Sequence, residues 1–267
     1  MKRIAYFMLP LFLAGVLFSV IKIISIEQTL HSADDNYSYL AELASGSQDR
    51  KQIQSEEKTA PDQENSIKAP SSESVPQTEI DFGSLQRYNP DIIAWIRIPN
   101  SNINYPVLHG PDNQKYLRHT PDGEYNIAGS IFMEYTNASD FSDNHIIIYG
   151  HHFRGSYRPM FTQLVDYKSE AFFKAHPVAQ LFTPAGTYTI RIFSCYVTKL
   201  GSGAWRTQME GDVFSHWIEN VISQAAYNTK IIPSETDRII TLSTCSTEFE
   251  NARFVVHGIL ELNKNDT

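Results

Sequence analysis

Between Ile80 and Leu262 the apolar residues fall into short runs: "IIAWIRI", "GSIFME", "HIIIYG", "VAQLFT", "TYTIRIFSCYVT", "RIITLSTC" and "RFVVHGILEL". Gly, Pro, Asn and Asp separate them. Runs of this length, rich in β-branched and aromatic residues and bounded by turn formers, read as strands. Many short strands in succession point to a β-barrel or a sandwich. Two helical patterns interrupt them, "MFTQLVDYKSEAFFKAHP" and "DVFSHWIENVISQA". In the second, Val213, Phe214, Trp217, Ile218, Val221 and Ile222 form one apolar stripe, which is a packing face. A short helix is expected around Phe82 and Leu85, so the folded unit, residues 80–267, starts near Ile80.

Upstream the chain changes character twice. Lys2 and Arg3 precede an uncharged run from Ile4 to Ile21, long enough to cross most of a bilayer's hydrocarbon core as a helix. The basic flank places its N-terminus in the cytoplasm and the rest of the chain outside. A cleaved signal peptide is the alternative, but its apolar core is usually shorter, and no small-x-small cleavage site stands between Lys22 and Asp35. Residues 1–26 are therefore expected to be a single-pass membrane anchor, with the folded part extracellular. Residues 27–79 read as a tether. Leu30, Tyr37, Leu40 and Leu43 have a rough helical spacing, and the segment after them is almost free of large apolar residues. As a flexible coil, residues 46–79 would span roughly 30 Å.

The net charge of −8, with no long basic run, gives no footprint for nucleic acid. No Gly-rich phosphate loop, metal-type CxxC pair or HExxH segment occurs, so no cofactor and no metal is expected. The chain has two cysteines. Outside the cytoplasm they could pair as a disulfide, although a domain of this size can form its core without one. Cys195 lies inside the apolar "IFSCYV" and reads as a buried structural residue. Cys245 is flanked by the polar "LST" and "STE", a setting that suits a reactive thiol better.

Period two orders the residues around that thiol. In "RIITLSTC", Ile240 and Leu242 point to the core face, whereas Thr241, Ser243 and Cys245 point away from it. On the next run Arg253 can share the face of Cys245 if the two strands are antiparallel neighbours joined by "STEFEN". A nucleophilic cysteine also needs a base. Among nine histidines, His151 follows "HIIIYG", an apolar run broken by glycine, which puts its imidazole at a strand mouth where the backbone is expected to turn sharply. His152 points the other way. A loop histidine pair, or a metal site with His145, are the competing readings, and no carboxylate or cysteine spacing completes a metal site.

The order of these segments, "IYGHH", then "TLSTC" about ninety residues later, then "ARFVV", resembles a class B sortase. The resemblance covers roughly residues 80 to 262 and extends to "NPDIIAWIRIPNSNINYPVL", "DNQKYL", "AGSIF" and "DFSDNHIIIYGHH". It implies a mainly β fold, a closed sortase-type barrel of about eight strands with peripheral helices, including N-terminal helices and one before the strand leading to the cysteine. It implies a membrane-anchored cysteine transpeptidase of Gram-positive bacteria in which Cys245 is the nucleophile, His151 the general acid and base, and Arg253 the electrophilic partner. Asn113, Leu117 and Ser243 are implied as substrate-groove residues. The donor would be a surface protein or pilin bearing a C-terminal NPxTG or LPxTG-like signal, cut after threonine. The acceptor would be a cell-wall precursor amine or a pilin lysine. The residues select neither the motif nor between wall anchoring and pilus polymerisation.

The chemistry is consistent with the residue types. An unperturbed thiol is only a few per cent ionised near pH 7, and an unperturbed imidazole is about a quarter protonated, so the pair must work from a minor ionised state or be stabilised by its surroundings. An arginine, permanently charged and rich in N–H groups, can steady the tetrahedral oxyanion. Two rival readings remain at this point. One is a cysteine endopeptidase that releases its acyl group to water, the other a catalytically silent, membrane-tethered binding protein.

Overall fold

The computed structural model describes residues 2–46, 80–155 and 157–263. Eight strands close a barrel: β1 (Ile92–Arg97), β2 (Asn104–Leu108), β3 (Ile131–Met133), β4 (His145–Tyr149), β5 (Val178–Thr183), β6 (Gly186–Lys199), β7 (Ile239–Cys245) and β8 (Ala252–Leu262). Around the barrel they run β1-β2-β3-β4-β7-β8-β6-β5, with β5 pairing back onto β1. The β2–β3 and β4–β7 pairs are parallel and the others antiparallel. All seven apolar runs become strands. The eighth, β2, is hidden in the sequence by Pro106, which precedes the point where pairing with β3 begins at Val107.

Helix α1 spans Lys2–Ala44, α2 Phe82–Tyr88, α3 Glu170–Ala175 and α4 Gly211–Ser223. Asp81 caps α2 by accepting from the Ser84 N–H at 2.9 Å. The first interrupting helical segment becomes a 3₁₀ stretch at Met160–Lys168 followed by α3. Helix α4 lies between β6 and β7 in sequence. Phe214, Trp217, Ile218 and Val221 of its stripe are buried, whereas Val213 is 43% exposed and Ile222 only half-buried.

Alternation along β7 and β8 holds. Ile240, Leu242, Phe254 and Val256 fill the barrel interior. The opposite face is not solvated: Ile239, Val255 and Ile259 pack with Phe193, Trp217 and Met209 in a second apolar layer. Thr241 and Ser243 are buried in that layer too. This face points away from the barrel interior, as the alternation predicts, and α4 and the loop after β6 cover it. A bulge between Ile192 and Ser194 lets Phe193 serve this outer layer while Ile192 and Cys195 serve the interior.

Helix α1 has two regimes. From Phe12 to Ile26 its large apolar side chains are largely exposed, and it is long and apolar enough to cross a membrane. Its last turns belong to the barrel: Ala33, Tyr37, Leu40 and Ala44 are buried in the main core. Tyr37 Oη donates to Gly129 O at 2.6 Å, and Asn126 Nδ2 donates to Thr29 O at 2.6 Å. Packed structure thus begins well before Ile80. The coil expected over residues 46–79 falls almost entirely outside the described residues.

Candidate active site

Cys245 is the last residue of β7, and both neighbouring strands bring a candidate partner to that end. On one side β8 is antiparallel, and Cys245 and Arg253 are directly opposed. On the other side β4 is parallel, with Tyr149 opposite Ser243. The contact continues past β4: Gly150 N–H donates to Ser243 O at 3.1 Å, and Thr244 Oγ1 donates to Gly150 O at 2.8 Å. His151 follows directly, so it leaves β4 at the end of the β4–β7 pair where Cys245 closes β7. His151, Cys245 and Arg253 therefore belong to one row of strand ends, those of β4, β7 and β8.

Gly150 has a role other than the expected sharp turn. A Cβ there would come within 2.4 Å of Ile131 Cδ1 and 2.7 Å of the Phe161 ring, so the position needs glycine for close approach. The same packing fixes the next residue. Phe161 N–H donates to His151 O at 3.1 Å, which returns the following loop under the imidazole.

His151 Nε2 lies 2.7 Å from Leu117 O. A carbonyl only accepts, so Nε2 carries a proton, and in the neutral ring Nδ1 is left as the acceptor. Burial lowers the affinity of this imidazole for a second proton, the Leu117 hydrogen bond opposes that, and the charge of Arg118 adds to it. The net shift favours the neutral ring. The Cys245 thiol is half-buried and makes no hydrogen bond among the described residues. Arg253 is half-buried as well, and its Nη1 donates to Ala252 O at 3.0 Å.

Beside this row lies a cleft of about 430 Å³ lined by Tyr149, Leu200, Ser202, Trp205, Ser243 and Arg253. Ser243 is buried, and its Oγ accepts from Trp205 Nε1 at 3.0 Å. Asn113 Nδ2 donates to Glu134 Oε2 at 2.7 Å, and Tyr149 Oη donates to the same oxygen at 2.8 Å. Burial and the adjacent Glu134 carboxylate keep the Tyr149 phenol protonated. Asn113 is thus linked through Glu134 to the cleft wall and Ser243 lines it, whereas Leu117 meets His151 through its carbonyl. His152 lines a separate small pocket with Arg154, Arg158 and Thr247.

Tyr149, Glu134 and Trp205 were not among the residues picked from the sequence. Glu134 offered one signal, a carboxylate directly after "IFM" that is buried yet fully engaged. Trp205 offered another, a lone indole in the small-residue loop "GSGAWR". Cys195 is buried, its Sγ 3.1 Å from Tyr167 O and 3.2 Å from Tyr227 Oη, and neither cysteine is in a disulfide.

A closed eight-stranded barrel with a free, half-buried cysteine at a strand end, and with histidine and arginine at the neighbouring strand ends, is an arrangement suited to cysteine acyl transfer. The Sortase domain family model matches residues 96–261. Sortase B of Listeria monocytogenes is 37% identical over 179 residues, covering 66% of this chain and 72% of that protein. A Staphylococcus aureus sortase B–substrate complex superposes with a TM-score of 0.64 at 32% identity, covering 68% of this chain and 84% of the other. Clostridium perfringens sortase B gives 0.63 at 32% identity, covering 67% and 98%. The chain belongs to the sortase family, the cysteine transpeptidases of cell-wall sorting, and its relatives are sortase B enzymes.

Proposed function

We propose that this protein is a membrane-anchored, extracytoplasmic transpeptidase in which Cys245 is the nucleophile, His151 the general acid and base, and Arg253 the oxyanion partner. What supports the reading is that Cys245 and Arg253 are cross-strand partners and that His151 follows the end of β4, the other strand paired with β7. The Cys245 thiolate attacks the backbone carbonyl after the threonine of an NPxTG- or LPxTG-like signal, and the carbonyl oxygen becomes an oxyanion that Arg253 stabilises. Protonated His151 then gives its proton to the departing amine as the peptide C–N bond breaks, leaving a thioester on sulfur. An incoming amine attacks the thioester while giving up a proton to the now neutral His151, and the C–S bond breaks to release the thiolate with an amide bond formed, which restores the starting pair.

Asn113, Leu117 and Ser243 act as groove residues, with Tyr149 and Trp205 completing the wall. The similarity to a sortase B–substrate complex supports a signal-bearing donor. The acceptor is an amine of a cell-wall precursor or a pilin lysine. The apolar start of α1 supports a single-pass anchor with a cytoplasmic N-terminus, and residues 80–267 form the catalytic domain.

The test is mass spectrometry of the protein incubated with a small set of sorting peptides, with and without amine acceptors. The expected result is an acyl adduct on Cys245 and a ligated product that requires the amine, both abolished by Cys245→Ala. Full turnover by that variant would overturn the mechanism, and hydrolysis alone with every amine would make the protein a protease.

A further inference from the structure

Behind the cleft, under α4, three polar side chains stand in a row away from solvent. His145, Thr241 and His257 are all buried to 0% exposure. His145 Nδ1 lies 2.7 Å from Arg206 O, His145 Nε2 lies 2.7 Å from Thr241 Oγ1, and Thr241 Oγ1 lies 2.7 Å from His257 Nδ1. Burial pushes the His145 imidazole down to about 4 and His257 well below its ordinary value, so both rings are neutral at pH 7 and each carries one N–H.

Elementary donor rules then fix every proton. The Arg206 carbonyl can only accept, so the His145 proton is on Nδ1 and its Nε2 is an acceptor. That nitrogen takes the hydroxyl proton of Thr241. The Thr241 oxygen in turn accepts from His257 Nδ1–H. His257 Nε2 must then be a bare lone pair, and it is indeed a buried atom without a hydrogen-bond partner. The chain has one direction, from His257 through Thr241 and His145 to a single backbone carbonyl.

That carbonyl belongs to the loop forming one wall of the cleft. Three further bonds hold the same loop: Trp217 Nε1 to Gly203 O at 2.8 Å, Trp205 Nε1 to Ser243 Oγ at 3.0 Å, and Thr198 Oγ1 to Ser202 Oγ at 2.9 Å. The His145 ring also packs 4.2 Å from the Trp217 ring, so the imidazole supports the loop by contact and by hydrogen bond. Apolar side chains could fill this layer at a lower desolvation cost, but they could not orient a carbonyl.

We propose that His145, held in one tautomer by Thr241 and His257, is a positioning residue that sets the Leu200–Arg206 wall and thereby tunes binding of the donor peptide. This rests on the reading of the cleft as the donor groove. His145 touches no reacting atom, so its removal should raise KM and leave the intrinsic reactivity of Cys245 alone.

The test uses the full chain and compares His145→Phe, which keeps a ring under Trp217, with His145→Gln, whose amide can both donate to Arg206 O and accept from Thr241. Steady-state kinetics with a sorting peptide, alkylation of Cys245 by a small thiol reagent, and hydrogen exchange of the Trp205 indole N–H are measured on each. His145→Phe is expected to raise KM about tenfold with kcat within about twofold, because the Arg206 carbonyl loses the donor that orients it. Trp205 exchange should quicken, alkylation should be unchanged, and His145→Gln should restore both KM and exchange. If His145→Phe does not fold, Thr241→Val, which cuts the chain one step earlier, is expected to show the same pattern more weakly. Wild-type KM and Trp205 exchange in the folded variant, or a loss confined to kcat, would overturn the proposal. Absence of peptide turnover in the wild-type protein, with Trp205 exchange still responding to His145→Phe, would defeat the proposed function but leave the structural role of His145 standing.

Discussion

Cys245 and Arg253 are direct cross-strand partners, opposed on β7 and β8 across a hairpin whose connection is only a few residues long. The short spacing between them is therefore enough to bring a guanidinium to the cysteine without any help from a loop. One Arg253 N–H is spent on the carbonyl of Ala252, and the planar fork has others to offer. Arg253→Ala is expected to lower kcat/KM about 10²- to 10³-fold, as loss of one oxyanion donor does elsewhere. Arg253→Lys should recover only part of it, because an ammonium lacks the fork. Peptide-cleavage kinetics alongside thermal denaturation check this; a rate loss that merely tracks lost stability would count against the role.

The two thiols should react very differently. Cys195 is buried against Tyr167 and Tyr227, and burial pushes its thiol up to about 11, whereas Cys245 is half-buried at a strand end. Alkylation of the native protein followed by peptide mapping should find Cys245 modified first, with Cys195 reacting only on unfolding. Preferential labelling of Cys195 would contradict the packing described for β6.

Acid should weaken the fold before the carboxylates are protonated. An unfolded histidine binds its proton near pH 6.5, but His145 in the folded protein resists until about pH 4, and His257 is shifted in the same direction. Between those values the unfolded chain holds more protons, so stability falls as pH drops from about 6.5 towards 4 and is fully present above that window. His145 alone accounts for something on the order of 2 kcal/mol by pH 4.5. Urea denaturation at pH 7 and pH 4.5 measures it, and His145→Gln should flatten the difference. An identical pH slope in the variant would show that other groups govern the window.

Helix α1 should contribute to barrel stability. Leu40 is completely buried, so Leu40→Ala is expected to cost about 2–4 kcal/mol. A chain starting at Glu27 should likewise melt higher than one starting at Ile80. Equal denaturation midpoints for the two would mean that α1 only rests on the surface.

Much of this structure could be read from the sequence, because strand period and turn residues are local signals. The seven runs became strands, and the positions of His151, Cys245 and Arg253 at strand ends followed from where those runs stop. What stayed hidden depends on contacts distant in sequence. Period two put Thr241 and Ser243 on the face away from the barrel interior but could not show what covers them, because their partners His145, His257 and Trp205 lie 16 to 96 residues away. Pro106 masked β2, and the spacing of Tyr37 and Leu40 indicated a helix without indicating that the barrel was its partner. Glu134 and Trp205 reach the cleft only through the course of loops, which no periodicity records.

Helix α1 runs without a break from its apolar half into the turns clasped by Asn126 and Gly129. Such a rod fixes azimuth as well as distance. Inserting one residue between Ile26 and Thr29 would advance the apolar half by about 1.5 Å and rotate it by about 100° relative to the cleft. The compass bearing of the cleft is thus encoded in a residue count, and a single-residue change there would redirect the barrel while leaving every side chain around Cys245 in place.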